Sequence, residues 1–376
     1  MYVPAEHGLP LTTLLGRRPA EALPFPLRAP RHLYFYRARN AIYHAFRALG
    51  FEGGDTVLMP DYHNTNEVAA VRASGAAVRF YRIGRNLEPD LEELETLVRS
   101  TRARALFAIH YFGWAQPIKE LVALCDAHGL IFFEDCALSL LSETLGQPLG
   151  SFGQFATYCL YKTLPVPNGG VLVQNQFGPP WFDRLALEPC GVTTLGGRTL
   201  ELLLESLRGR AHVAGESAFA LKRTIGALLR MLQIDRVPFG DIGFDRDRAN
   251  VAISPLTLRL LQHFDYTEIK RRRRANFVLL RECLEGAATL FPRELEVGMC
   301  PTIFPMLVAD KAAAAAALRA RGIQAMEFWN YGDPEAEGAD ALFLREHVLE
   351  LPIHQDVTPE QVLYMAEQVK RLRLTL

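Results

Sequence analysis

The chain has 376 residues, 49% of them hydrophobic, with 41 Lys plus Arg against 42 Asp plus Glu and a formal net charge of -1. That length and apolar content predict two domains sharing a large core, and the balanced charge excludes a global field that would draw the chain to nucleic acid or an anionic membrane. Met1 to Gly8 has neither the basic start nor the apolar run of a signal peptide, and no stretch reaches membrane length, so a cytoplasmic location is the default expectation. The 6 cysteines form no C-x-x-C or zinc spacing, which argues against a disulfide framework or a structural metal.

After a Pro-rich lead to about residue 30, apolar residues at helical spacing predict a helix from Ala38 to Leu49, stopped by Gly50. Strand Thr56 to Pro60, helix Asn66 to Ser74 and strand Ala77 to Tyr81 come next. Helix Asp90 to Arg99, strand Ala105 to His110, helix Ile118 to His128 and strand Leu130 to Glu134 keep the same rhythm. Such alternation predicts an α/β fold with a mostly parallel sheet covered by helices, and in such sheets ligands gather at the carboxyl ends of the strands. A strand Val171 to Gln174 follows the turn Asn168-Gly169-Gly170. From 177 to 245 the pattern loosens into an irregular helical excursion, with helices at Thr199 to Arg208 and Ala218 to Leu232. The reading is a large domain over 1–245 and a smaller C-terminal α+β domain over 246–376. The latter holds a helix Asp265 to Leu284, a strand Ile303 to Val308, an Ala-rich helix capped by Asp310, and a last helix opened by the capping box of Thr358 and Gln361. The basic run Arg271 to Arg274 lies within a helix and lacks interleaved aromatics, so it reads as a solvated face.

Two residues carry the chemistry. Asp135 closes a buried strand, and Lys162 sits among Leu160, Tyr161, Leu164 and Val166 at a later strand-to-turn junction. A permanent anion keeps a pyridine nitrogen protonated, and a desolvated amine is nucleophilic, so the pair could hold the two ends of pyridoxal 5'-phosphate. Cys159-Leu-Tyr-Lys162 also mimics the S-x-x-K spacing of acyl transfer, without that chemistry's other motifs.

In their order along the chain these motifs resemble the DegT/StrS-type aminotransferases, fold-type I pyridoxal-phosphate enzymes that mostly aminate nucleotide-linked keto-sugars. Gly54-Asp55-Thr-Val-Leu-Met-Pro60 is similar to the family's G-D-x-V-x-x-P, Glu134-Asp135-Cys136-Ala137 to its E-D-x-A, and Lys162 with Gly169-Gly170 to its lysine and glycine-rich turn. Gly322-Ile323 and Leu351-Pro352-Ile353-His354 match its small domain. The resemblance implies that Lys162 forms the Schiff base and moves the proton, and that Asp135 pairs with the pyridine nitrogen. It implies a ring-stacking residue in the loop after Pro60, for which His63 is the choice and Tyr62 the reserve, and a phosphate held at the helix start by Ala38 and Arg39, where the family has small residues. Thr157 or Cys159 takes the place of a phosphate-binding serine, Leu138 replaces a polar residue near the ring hydroxyl, and Ser139 could compensate. Asn250, with Ser254, matches an asparagine that reaches the phosphate of a neighbouring subunit, implying a homodimer with a shared site, although Asn250 could equally cap a turn. The implied activity is transfer of an amino group from glutamate or a similar donor to a keto-sugar. The alternatives are a non-sugar ketone or aldehyde as acceptor, or a cofactor-binding homologue that serves as a partner subunit without turnover. The family's dehydratase branch has histidine in place of the lysine, and Lys162 argues against it.

Overall fold

The computed structural model describes residues 1–16, 22–176, 185–210, 243–336 and 338–376. Its centre is a seven-stranded sheet, ordered β1-β9-β8-β5-β4-β2-β3. The strands are β1 (His32–Phe35), β2 (Thr56–Pro60), β3 (Ala77–Tyr81), β4 (Ala103–Ile109), β5 (Ile131–Asp135), β8 (Phe155–Cys159) and β9 (Gly170–Gln174). A minor hairpin of β6 (Glu143–Thr144) and β7 (Gln147–Pro148) intervenes. Pairing is parallel from β3 through β2, β4 and β5 to β8, and β9 runs antiparallel to both β8 and β1. Six strands therefore share one direction. Their carboxyl ends and the start of β9 lie at one edge, which collects Ile109, Asp135, Cys159 and Gly170.

The described helices are α1 (Leu11–Leu15), α2 (Ala38–Ala48), α3 (Asn66–Ala73), α4 (Leu91–Ser100), α5 (Ile118–His128), α6 (Val192–Arg210), α7 (Pro255–Leu260), α8 (Tyr266–Leu284), α9 (Lys311–Arg319), α10 (Ala339–His347) and α11 (Pro359–Leu372). Their ends follow local chemistry. The Asp90 carboxylate accepts from the Glu92 and Glu93 N–H groups at the start of α4, and Gly129 takes the left-handed turn (φ 65°) that ends α5. Asp310 caps α9, and Thr358 with Gln361 completes the expected capping box on α11. A second sheet, β10 (Thr289–Leu290), β11 (Phe304–Leu307) and β12 (Val348–Leu351), is antiparallel throughout.

The expected strand and helix positions of the first half agree with the structure to within two residues. Among other elements the sequence pattern passed over β1, α10 and β12, and it marked β8 only as the strand before the Lys162 turn, without bounds. β1 and β8 flank β9, and the polar Thr157 and Tyr158 of β8 are buried only because neighbouring strands and helices cover them. The helix expected at Thr199 to Arg208 is part of the longer α6, and the one expected at Ala218 to Leu232 lies outside the described residues. The Arg271 to Arg274 run is not a uniform solvated face. Arg271 and Arg272 pair with Glu268 at the surface, but Arg273 is fully buried. Its guanidinium donates to Gln355 Oε1 and to the carbonyls of Pro301, Thr302 and Thr163, which replace its hydration.

The first nine residues cross to the far part of the chain. Val3 bridges Ile323, exchanging backbone bonds with Gly322 and Gln324, and the Leu9 N–H bonds to the Leu202 carbonyl. Val3 and Leu9 are fully buried.

Candidate functional site

At the carboxyl edge of the large sheet a cavity of about 460 Å³ opens, lined by α2, α3, the ends of β4, β5 and β8, the N-terminal segment and residues 326–331. Its volume falls within the usual range for small-molecule sites.

Asp135 is placed by the β5 register, opposite Ile109 of β4 and Thr157 of β8. It is 5% exposed and its Oδ1 accepts the Ala137 N–H at 2.8 Å. Burial pushes its carboxyl above the ordinary range, while Lys162, the Ala137 N–H and His110 pull the other way. Lys162 ends the short 3₁₀ turn Leu160–Lys162 that follows β8, and it lines the same cavity. The Asp and the Lys therefore meet because β5 and β8 are adjacent parallel strands, each ending at the cavity.

The preceding acid is structural. Glu134 is fully buried, taking the Phe152 and Gly153 N–H groups on Oε1 and the Gly150 N–H on Oε2. His110 receives the Gln116 N–H on Nδ1, so its Nε2 carries the hydrogen and donates to Glu134 at 3.0 Å. With Cys136 these two side chains have a metal-like spacing, but the bonds of His110 and Glu134 are spent on holding the loop after β5.

The start of α2 forms another wall. Arg37 precedes the helix in extended conformation, and no side chain caps the first turn. Ala38 and Arg39 line the cavity, and Arg39 donates to Asn66 Oδ1 and the Gly243 carbonyl. Gly170 makes this approach possible: a Cβ there would lie 2.3 Å from the Arg37 carbonyl carbon and 2.4 Å from the Ala38 nitrogen.

Of the residues singled out from sequence, the cavity thus brings together Asp135, Lys162, Ala38, Arg39 and Cys159. His63 is not among its lining residues: its ring stacks on Phe80 at 5.1 Å, with Nδ1 on the Pro60 carbonyl and Nε2 receiving the Asp333 N–H. Tyr62 packs against Tyr111 and Trp329. Both rings turn back beneath the loop, and Asn64, Asn66 and Glu67 face the cavity instead. Thr157 is fully buried with its hydroxyl 3.5 Å from the Ala38 carbonyl, Ser139 is buried with its N–H on the Cys136 carbonyl, and Asn250 is exposed outside the cavity.

The sequence pattern missed Glu67, His7 and Arg273 as cavity residues, and it gave His354 only as part of a motif. Glu67 is an acid in the first turn of a helix, ordinarily read as a partner of the helix dipole. His7 comes from the N-terminal segment and meets His354 edge to face, 5.8 Å between ring centroids. Burial and the Arg273 charge hold both imidazoles neutral, His354 down to about 3.

Residues 36–177 match the model of the DegT/DnrJ/EryC1/StrS aminotransferase family. Over 138 residues the chain is 33% identical to a GDP-perosamine synthase of Vibrio cholerae, covering 36% of this chain and 37% of that protein. It is 28% identical over 137 residues to a UDP-N-acetyl-3-dehydro-alpha-D-glucosamine 3-aminotransferase of Acidithiobacillus ferrooxidans, covering 36% and 37%. The aligned stretch thus spans little more than a third of either curated relative. Solved structures extend the likeness in fold. An aminotransferase of Helicobacter pylori involved in pseudoaminic acid biosynthesis superposes with a TM-score of 0.65 at 16% identity over 98% of both chains. A DegT/DnrJ/EryC1/StrS aminotransferase from Brucella abortus gives 0.62 at 18% identity, covering 92% of this chain and 86% of that one. The fold is that of these aminotransferases.

Proposed function

From the match of residues 36–177 to the DegT/DnrJ/EryC1/StrS aminotransferase family model, we propose that this chain is a pyridoxal-phosphate-dependent aminotransferase. It would take its amino group from glutamate or a similar donor. The observation that carries this reading is the convergence of Asp135 and Lys162, from the ends of neighbouring parallel strands, on one cavity.

The donor set fits the cofactor. Asp135 is a carboxylate whose charge burial disfavours, and a pyridinium beside it would offset that cost. The uncapped start of α2, brought close by Gly170, offers N–H groups to a phosphate, and Arg39 adds charge to the same wall. When bound, pyridoxal phosphate supplies the electron sink that makes the amine-bearing carbon acidic. Lys162 Nζ then takes the proton from that carbon and returns it. Phe328 and Trp329, which also line the cavity, help to keep water from that exchange.

The acceptor class proposed is a nucleotide-linked keto-sugar, supported by the names of the Vibrio and Acidithiobacillus relatives. Asn250, exposed beyond the cavity, supports a homodimer in which it serves a neighbouring site. The division into domains over 1–245 and 246–376 is likewise our reading: the seven strands of the large sheet precede it and the three-stranded sheet follows.

Purified protein supplied with pyridoxal phosphate is expected to absorb at the wavelength of the lysine-bound cofactor, and glutamate is expected to bleach that band. Lys162→Ala should lose the band and at least about 10³-fold of turnover, since it removes both attachment and the proton-moving base. Protein that stays colourless would sink the reading. Leu138, 2% exposed on the cavity wall where a polar contact was expected, favours a second reading, a cofactor-holding homologue without turnover. Under that reading the band forms but glutamate leaves it unchanged.

A further inference from the structure

Four acids, Glu6, Glu67, Asp135 and Glu327, line the cavity with Lys162. Glu6 pairs with Arg198 and Glu327 with Arg319, and the reaction above uses only Asp135. Asp135 is committed to the pyridine nitrogen. Glu67 reaches the same space from the first turn of α3, only 7% exposed. Its Oε1 accepts the Asn64 N–H at 2.6 Å, which fixes the carboxyl and leaves Oε2 as the place for a proton.

Burial opposes charge on Glu67, and the Asp135 carboxylate opposes it further. Lys162 offsets this only in part, so the group keeps its proton up to about pH 8. Tyr111, after β4, and Arg345, of α10, also face its charge, and Arg39 of α2 donates to the adjacent Asn66. Burial and the neighbouring Asp135 carboxylate make Glu67 the uncharged member of the pair, and the pyridine needs Asp135 to be the charged one.

Resting on the aminotransferase reading, we propose that Glu67 is a second proton-transfer residue, whose Oε2–H serves the carbonyl oxygen of the keto acceptor. Replacing a carbonyl oxygen by an amine forms a C–N bond, breaks the C–O bond and releases the oxygen as water, which needs two protons. Both come overall from the amine nitrogen. Glu67 gives its proton to the oxygen as the C–O bond breaks and recovers one from the nitrogen, so the carboxyl ends as it began. Lys162 serves the carbon and Asp135 the pyridine nitrogen, and Glu67 supplies the remaining proton path.

The test uses the full chain. Infrared difference spectra of the cofactor-free protein, wild type minus Glu67→Gln, should show a protonated-carboxyl band at pH 7 that fades as the pH passes about 8. With cofactor, wild-type kcat/KM for a keto-sugar nucleotide should fall at alkaline pH. Glu67→Gln should lose that limb and about 10²-fold of rate, and Glu67→Asp, which retains an acid, should regain the limb. Absence of the infrared band, or a Glu67→Gln profile matching the wild type, overturns the role of Glu67. A wild type that transfers no amino group to any keto acceptor overturns the aminotransferase reading itself, whatever the infrared band shows.

Discussion

Glu67 and His354 show how burial, acting on two chemically opposite side chains, gives opposite dependences of stability on pH. Glu67 titrates at about 8 in the folded chain against an ordinary 4.5. Between those values the native state holds a proton that the unfolded chain has lost, so its contribution is fully present below about 4.5 and fades as the pH rises toward 8. His354 titrates at about 3 against 6.5, so its contribution is present above 6.5 and is lost as the pH falls toward 3. Glu67→Gln is therefore expected to be more stable than the wild type at pH 7, with the difference vanishing near pH 4.5. Urea denaturation of the cofactor-free protein at the two pH values measures this, and a variant less stable at pH 7 contradicts the buried, protonated carboxyl. Neither environment was legible in the sequence. Glu67 reads as a first-turn acid on a helix, and His354 reads as a residue of a short motif. Only the packing of α3 against the strand ends, and of Arg273 beside His354, gives each its surroundings.

At the scale of elements, the site depends on how closely α2 can approach β9. Gly170 pairs with Phe35 of β1 and Cys159 of β8, and the chain at Arg37 and Ala38 lies against its bare Cα. Gly170→Ala is expected to force these backbones apart. The cost should be about 2–3 kcal/mol of stability, with weaker pyridoxal phosphate binding in the protein that does fold. Thermal denaturation with a fluorescence titration of the cofactor would check both, and unchanged affinity would mean that the start of α2 does not hold the phosphate. The glycine pair itself was visible in the sequence as a tight turn. Its partner across the gap was not, because Arg37 and Gly170 are brought together by strand order alone. The loop after Pro60 shows the same limit: its His63 and Tyr62 matched the position of a stacking residue, yet the chain turns both rings into the packing behind the cavity and presents Asn64 and Glu67.

Across the whole molecule, the N-terminal segment acts as a strap. Val3 and Leu9 are buried at its two ends, the Gly8 N–H bonds to Asp356, and Ala5, Glu6 and His7 between them line the cavity. Glu6 also pairs with Arg198 of α6 at 2.7 Å. Deleting residues 1–9 removes the buried side chains of Tyr2, Val3 and Leu9 and one cavity wall. It is expected to cost about 3–5 kcal/mol and to raise KM for the acceptor more than it lowers kcat. A truncated chain with unchanged melting temperature and kinetics would show that the strap merely lies on the surface.

By itself the sequence determined the rhythm of strand and helix, the helix caps at Asp310 and Thr358, and the two residues on which the chemistry is built. These are set by local chemistry or by short ordered motifs, and such signals survive without knowledge of what lies across the sheet. Tertiary structure decided what surrounds Asp135 and Lys162. Strand order placed them on one cavity, burial made a proton carrier of Glu67, and the return of the chain start brought His7 to the same wall. Desolvation and Coulomb interaction act through space between residues far apart in sequence, so those properties arise only when the fold has closed.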